Sequence, residues 1–209
     1  MASRLDHITI VAPSLDAGSA YVEAALGMAP GPGREHPGMG THNLLLALGP
    51  SVYLEVISAN PAAEPVSRPR WFGIDSILPG AAPRLAAWVA STGDIATATV
   101  PALGRIETMR RGPHTWQMAV RPDGAVPLNG AAPLLIQRAP GADPVAALPT
   151  APLQFRALHI QHPQPAEILI LFAAIGLAPT TSVTVTRGGG CALLAEIQTP
   201  SGVRWLGEA

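Results

Sequence analysis

The feature of this chain that most constrains its fold is a short sequence that occurs twice. The segments 25–30 (ALGMAP) and 174–179 (AIGLAP) share four identical residues and two conservative replacements, and each closes a predicted helix. A repeated supersecondary unit cannot bury its apolar face alone, so its copies must pack together. Chance similarity in an Ala-rich chain is the alternative, but the strands around the two segments also align. The sequence therefore predicts a fold built from repeated units.

The first copy of the unit has the clearest pattern. The segment 5–11 alternates in polarity and is rich in β-branched residues, which predicts a strand. Ser14 is placed to cap a helix that runs to about Leu26 and ends at Gly27. A loop rich in Pro and Gly and two further strands are predicted after it, at 31–40, 43–48 and 52–58.

The same order recurs near the C-terminus, where Pro165 is typical of the first turn of a helix. The predicted elements there are a strand, a helix and two more strands, at 155–161, 165–175, 182–187 and 191–198. This arrangement predicts a second complete copy of the unit.

The middle of the chain follows the pattern more loosely. A strand, a helix opened by Pro83 and ended by Gly93, and two strands are predicted at 71–77, 83–91, 116–120 and 134–138. Residues 139–152 are rich in Ala and Pro, which is typical of a linker. Three units result, at 4–60, 70–138 and 153–206.

Composition excludes several classes of function. The 209 residues are 48% hydrophobic with a formal net charge of −1, which favours a globular domain with no attraction to nucleic acid or anionic membranes. A single cysteine, Cys191, excludes an intrachain disulfide and a Cys-rich zinc site. The N-terminus lacks the pattern of a signal peptide, and the longest apolar run, 168–175, is too short to span a bilayer. We therefore expect a cytoplasmic protein.

Histidine and glutamate occupy matching places in the outer units. Strand alternation puts His7 and Glu55 on strand faces of the first unit, and His159 and Glu196 on those of the third. Imidazole and carboxylate together suit Zn, Fe, Mn, Ni or Co. The alternative for each residue taken singly is a hydrogen-bonded structural role. In the middle unit the equivalent places hold Asp75 and Gln137.

Several stretches resemble the vicinal oxygen chelate superfamily, and within it the glyoxalase-like group. The resemblance covers most of the chain and lies in LDHI (5–8), ALGM (25–28), HPGMGTHN (36–43), YLE (53–55), MRR (109–111), WQ (116–117) and PLLIQ (133–137). It implies an α+β fold in which paired β-α-β-β(-β) units form an open barrel, here residues 1–138, with residues 139–152 as a linker and a third unit at 153–209.

The resemblance also implies a site with a divalent metal ion. It assigns His7 and Glu55 as metal ligands of the first unit and Gln137 as a weak ligand of the second, while Asp75 stands in place of the expected histidine. If units one and three formed the barrel instead, the ligands would be His7, Glu55, His159 and Glu196. Order along the chain favours units one and two, with the third unit capping the barrel or mediating a homodimer.

Other residues of the stretches that carry the resemblance have two interpretations each. His36, Thr41, His42 and Asn43 would bind substrate, or else bond local backbone in a tight turn. Trp116 would line the pocket or belong to the core. Two adjacent arginines, Arg110 and Arg111, would be solvated or would hold a carboxylate bidentately.

The resemblance implies a divalent-metal-dependent lyase, isomerase or dioxygenase that acts on a small oxygenated molecule. In such a site Glu55 would shuttle the proton. Asp75 and Gln137 favour the alternative, a metal-free protein of the same fold that binds a small molecule, as resistance proteins do. A third option is an interaction module with a vestigial pocket. One fold hosts many chemistries, so the reaction itself stays open.

Overall fold

The computed structural model describes residues 2–112, 114–178 and 182–208. Two consecutive units form one curled eight-stranded sheet, in the order β2-β3-β4-β1-β5-β8-β7-β6. The strands of this sheet are β1 (Arg4–Val11), β2 (Gly31–His36), β3 (Thr41–Ala47), β4 (Tyr53–Ala59), β5 (Arg84–Ser91), β6 (Arg105–Arg111), β7 (His114–Val120) and β8 (Leu134–Arg138). The strand order is symmetrical about the antiparallel pair β1 and β5, so each half of the sheet is one β-α-β-β-β unit.

The third unit forms a separate four-stranded sheet in the order β10-β9-β11-β12. Its strands are β9 (Gln154–His162), β10 (Val183–Arg187), β11 (Ala192–Thr199) and β12 (Gly202–Gly207). One helix follows the first strand of every unit: α1 (Leu15–Leu26), α2 (Ile95–Ala98) and α3 (Pro165–Ala174). The predicted fold class, α+β with repeated units and a third unit at the C-terminus, is thereby confirmed. None of the described helices is long and apolar enough to cross a membrane.

The repeated six-residue segment marks the ends of α1 and α3. Ser14 caps α1 by accepting from the Ala17 backbone N–H, as predicted, and Gly27 ends the helix with φ of 74°. Gly176 has a φ of 70° after α3. A left-handed residue is needed to end a helix in this way, and glycine adopts it without strain. The last position of the second copy, Pro179, lies outside the described residues.

Three sequence predictions about secondary structure were wrong. The segment predicted as a helix at 83–91 is the strand β5, and the predicted strand at 71–77 is a 3-10 segment, Trp71–Ser76. Strand β5 is central and buried on both faces, so it lacks the alternation that identifies a strand, and its alanines favour a helix. The 3-10 segment contains Phe72 and Gly73 at positive φ, which no strand accommodates. Six of the ten residues of the predicted loop at 31–40 form the edge strand β2.

Two apolar clusters lie on opposite faces of the large sheet. The larger contains side chains of α1, α3 and the small sheet, so it joins the third unit to the helix side of the large sheet. The smaller covers the opposite, concave face and includes Val11, Ile57 and Trp71. The concave face is therefore partly closed by the 3-10 segment.

We expect the Phe172→Ala variant to lose about 3 to 5 kcal/mol of unfolding free energy. Phe172 of α3 is 3% exposed and its ring meets that of the fully buried Trp88 of β5 edge-on, with 5.5 Å between the centroids. The substitution therefore opens a cavity where the third unit joins the large sheet. Urea unfolding measures the loss. The Ile170→Ala variant on the same helix is the control, since Ile170 is 70% exposed; equal losses in both would contradict the prediction.

Candidate functional site

A buried histidine forms the base of a pocket on the concave face. His7 of β1 has its Nδ1 atom 2.6 Å from Oδ1 of Asp6 and its Nε2 atom 3.4 Å from Oε2 of Glu55 on the neighbouring strand β4. The ring of Tyr53 stacks on the imidazole with 4.4 Å between centroids. The pairing of β1 with β5 shifts register between Leu5 and His7, and such a bulge re-aims side chains. His7 is thus held by a carboxylate at each nitrogen.

The carboxylate of Asp6 carries a second ion pair. Arg138 of β8 reaches it across β5, with distances of 2.5 Å and 3.1 Å to its two oxygens, and also donates to the Tyr53 hydroxyl at 3.0 Å. Both Asp6 and Arg138 have side chains mostly shielded from solvent, 2% and 15% exposed. The pair therefore links the two units through the floor of the pocket.

The second oxygen of Glu55 is bound by an amide. Asn43 of β3 donates from Nδ2 to Glu55 Oε1 at 2.5 Å, and its own Oδ1 accepts from the Arg34 backbone N–H at 2.7 Å. This packing requires glycine at position 33, because a Cβ there would overlap the Asn43 amide. Since both ends of the amide are bonded, Asn43 fixes the Glu55 carboxylate in one orientation.

The predicted substrate-binding residues of the stretch 36–43 separate into three roles. His36 lines the pocket, and its Nδ1 lies 3.2 Å from the Thr41 hydroxyl. Thr41 is fully buried and accepts from Trp71 Nε1 at 3.1 Å, so it positions the wall of the pocket. Asn43 holds Glu55, whereas His42 lies outside the pocket lining.

The ionisable side chains at the base of the pocket alternate in the sign of their charge. Burial alone would lower the pKa of His7, but its hydrogen bonds with Asp6 first and Glu55 second, and their negative charges, raise it. Burial alone would raise the pKa of Glu55, but its hydrogen bond with His7 and the positive charge of that ring lower it. Burial likewise opposes ionisation of Asp6, yet His7 and Arg138 hold its pKa well below the usual range. A neutral floor results, with Arg138 and His7 positive and Asp6 and Glu55 negative.

The second unit brings no equivalent pair to the pocket. Strands β1 and β5 are both eight residues long and each ends four residues before a helix, which makes Ala87 the counterpart of His7. Gln137, the predicted weak ligand, accepts from the Ile95 backbone N–H at the start of α2 and is absent from the pocket lining. Its neighbours Ile136 and Arg138 line the pocket instead.

Asp75 does not occupy the place of a ligand from the second unit. It lies at the end of the 3-10 segment, where it accepts from the backbone and side chain of Arg70 and is largely exposed. The strand that carries the true counterpart, β5, begins nine residues later. The expected equivalence of Asp75 with a ligand was therefore wrong, because it depended on the misplaced strand.

The alternative ligand set is divided between two sheets. His159 and Glu196 do face each other, with 3.6 Å between Nε2 and Oε2, but on β9 and β11 of the small sheet. Both are partly exposed, and His159 also contacts the Thr184 hydroxyl and the ring of Trp205. The structure thus brings His7 together with Glu55 and keeps His159 and Glu196 apart from them.

The pocket above His7 and Glu55 has a volume of about 240 Å³. Its walls are mainly apolar, and its rim carries two arginines, Arg34 and Arg111. Trp116, predicted as a wall or core residue, lines it, as do Trp71, Phe72, Met118 and Ile136. Sequence reasoning missed Asp6, Arg138 and Trp71, although Asp6 directly precedes the predicted ligand His7.

The comparisons with known proteins agree with this architecture. The family model described as a glyoxalase-like domain matches residues 5–175. A hypothetical protein from Staphylococcus aureus aligns over 91% of this chain and 88% of its own, with 12% identity and a TM-score of 0.57. Among curated proteins there is no match.

Two further solved structures align with lower TM-scores. A methylmalonyl-CoA epimerase from Mycobacterium tuberculosis is 21% identical, over 69% of this chain and 91% of its own, with a TM-score of 0.43. A mutant 4-hydroxymandelate synthase from Streptomyces coelicolor is 12% identical, over 99% of this chain and 63% of its own, with a TM-score of 0.47.

Proposed function

The chain belongs to the family of glyoxalase-like domains, and from this premise we propose that it transfers a proton on a small oxygenated molecule bound above Glu55. The observation that carries the proposal is the buried pair at the base of the pocket, with His7 Nε2 at 3.4 Å from Glu55 Oε2. A carboxylate fixed at the end of an apolar pocket is a suitable general base for a carbon acid.

The chemistry follows from the alternating charges. The Glu55 carboxylate takes the proton from a carbon beside a carbonyl group, and the electron pair moves onto the carbonyl oxygen as an enolate. Because negative charge passes from Glu55 to the substrate, the imidazolium of His7 stays beside an anion throughout. Glu55 then returns the proton to the adjacent atom, which gives an isomerisation. Return to the same carbon from the same face regenerates the substrate and is visible as hydrogen exchange with solvent.

The side chains at the base of the pocket offer too few ligands for a resident metal ion, but they suit proton transfer. His7 Nε2 and Glu55 Oε2 lie 3.4 Å apart and supply two donors, whereas metal sites of this kind usually have three or more protein ligands. Among the described residues, no three His, Cys, Asp or Glu side chains are grouped so as to hold a metal ion. The counterpart of His7 in the second unit, Ala87, offers no donor.

We expect the purified protein to retain far less than one equivalent of divalent metal after incubation with Zn, Fe, Mn, Ni or Co and dialysis. Two ligands already paired with each other bind such ions weakly. Elemental analysis of the untagged protein measures the content. Near-stoichiometric metal that is lost in a His7→Ala variant, but retained in a His159→Ala variant, would contradict the prediction and favour the metal-dependent reaction.

The experiment that tests the proposed function follows hydrogen exchange at carbon. Wild-type protein is incubated in D₂O with a panel of 2-oxoaldehydes, 2-oxo acids and malonate-type acids, and proton NMR follows the signal beside the carbonyl group. We expect at least one compound to lose that signal faster than in buffer, without added metal and in the presence of a chelator. No exchange across the panel would overturn the proposal.

A second candidate function is binding without reaction. The apolar lining contributed by the second unit, such as Met118 and Ile136, gives a cavity suited to retaining a small apolar molecule. A panel compound that raises the melting temperature but shows no exchange would support this alternative.

A further inference from the structure

A second cavity adjoins the pocket and opens to its rim. It has a volume of about 830 Å³ and lies between strands β2 and β3 and the segment 140–151. Its walls are largely apolar, with Met28, Leu45, Ala147 and Leu148 among them. We call this cavity the outer groove. Residues 139–152, predicted as a plain linker, therefore form one of its walls.

The pocket and the outer groove meet at two arginines. Arg34 and Arg111 line both cavities, together with Leu45 and His114. The two cavities therefore share a boundary at these residues. A molecule too large for the 240 Å³ pocket can extend past the arginines into the outer groove.

The two arginines at the junction carry uncompensated charge. Within the described part of the chain neither forms an ion pair with a carboxylate, and the Nε of Arg111 is buried without a hydrogen-bond partner. The Cζ atom of Arg111 lies 5.2 Å from the centroid of the Trp116 ring, and this contact holds the guanidinium at the junction that it lines. Burial and the nearby charge of Arg34 lower the pKa of Arg111. An anion placed at the junction would offset both effects on this pKa.

We propose that the pocket and the outer groove form one site for a carboxylate with an apolar tail, in which Arg111 and Arg34 hold the carboxylate and the outer groove holds the tail. The charge at the junction selects the anion, and the apolar walls of the outer groove select the chain. This inference deepens the proposed function by naming its substrate class, and it rests on that function for the chemistry at Glu55.

The test uses straight-chain alkyl carboxylates from butanoate to decanoate as probes. Calorimetric titration of the protein is expected to show the dissociation constant falling about fourfold for each added methylene, as burial of CH₂ groups predicts. Affinity independent of chain length would overturn the proposal.

Two matched pairs of variants locate the binding. Arg111→Met is expected to weaken decanoate binding about tenfold to a hundredfold, while Arg110→Met, an exposed neighbour outside both cavities, leaves it unchanged. Ala147→Trp fills the outer groove and should abolish the dependence on length while butanoate still binds. Ala146→Trp is its control, because Ala146 is exposed and does not line the groove. Equal effects within either pair would overturn the assignment.

The Glu55→Gln variant separates this inference from the proposed function. We expect it to bind the carboxylate series with the same dependence on length, since Glu55 lies at the base of the pocket and not at the junction. Binding that strengthens with alkyl chain length, without hydrogen exchange of any compound, would disprove the proton transfer alone. Hydrogen exchange of short acids, with a dissociation constant that does not depend on chain length, would disprove the role of the outer groove alone.

Discussion

An Asp6→Asn variant is expected to lose about 3 to 5 kcal/mol of unfolding free energy at neutral pH. The substitution keeps the size of the side chain but removes the charge that faces both Arg138 and His7. Arg138, mostly shielded from solvent, would lose its ion-pair partner, and His7 would keep Glu55 alone, in a region of low dielectric. Urea unfolding, followed by circular dichroism, measures the loss.

The loss in the Asp6→Asn variant should depend on pH in a defined direction. The pKa of Asp6 is lowered in the folded state, so its contribution is fully present above the ordinary value of about 3.9. As the pH falls below that value toward the lowered folded value, the wild-type protein loses the contribution. The part of the difference that comes from ionised Asp6 is therefore expected to be present in full at pH 5 and to shrink in more acidic solution.

An exposed ion pair of the same kind provides the control. Arg121 and Asp123 form a two-bonded pair like that of Arg138 and Asp6, but on the surface. The Asp123→Asn variant should leave the urea midpoint nearly unchanged, because solvent screens the charge that remains. A large loss of unfolding free energy in the Asp123→Asn variant, or none in the Asp6→Asn variant, would show that burial of the ion pair does not determine the size of the loss.

The part of the site contributed by the first unit could be predicted from the sequence. His7 and Glu55 were found because their strands alternate and because each has a counterpart, His159 and Glu196, in the repeat. Strands β1 and β4 are buried as β5 is, but they are rich in β-branched residues, and His7 and Glu55 are polar residues among apolar neighbours. The role of Asn43 was predicted only in general terms, as a substrate contact, because its bond to Glu55 depends on the register of β3 and β4.

The part contributed by the second unit could not be predicted. Strand β5 is buried on both faces, so Ala87 lies in a run without polar alternation and resembles a helix. The misassigned strand then moved the expected ligand to Asp75. Arg138 pairs with Asp6 over 132 residues of sequence, and no local pattern indicates such a contact. Long-range pairing of strands, not local propensity, determines this half of the site.

The Glu55→Gln variant is expected to slow hydrogen exchange of a responsive compound about 10²- to 10⁴-fold, the usual contribution of a general base. Glutamine keeps an oxygen that can accept from Asn43 but cannot take a proton from carbon. A Glu55→Asp variant should be intermediate, since the shorter carboxylate remains a base but withdraws from the pocket. Proton NMR in D₂O at matched protein concentrations measures all three rates.

Glu196→Gln is the control for the Glu55→Gln variant, because it removes the carboxylate of the other His–Glu pair, at 3.6 Å on the small sheet. If proton transfer takes place in the pocket, the Glu196→Gln variant catalyses exchange at the wild-type rate. An unfolding midpoint of the Glu55→Gln variant close to that of the wild type shows in addition that its fold is intact. If Glu196→Gln slows exchange as much as Glu55→Gln does, the reacting group lies on the third unit, and the pocket above His7 serves binding alone.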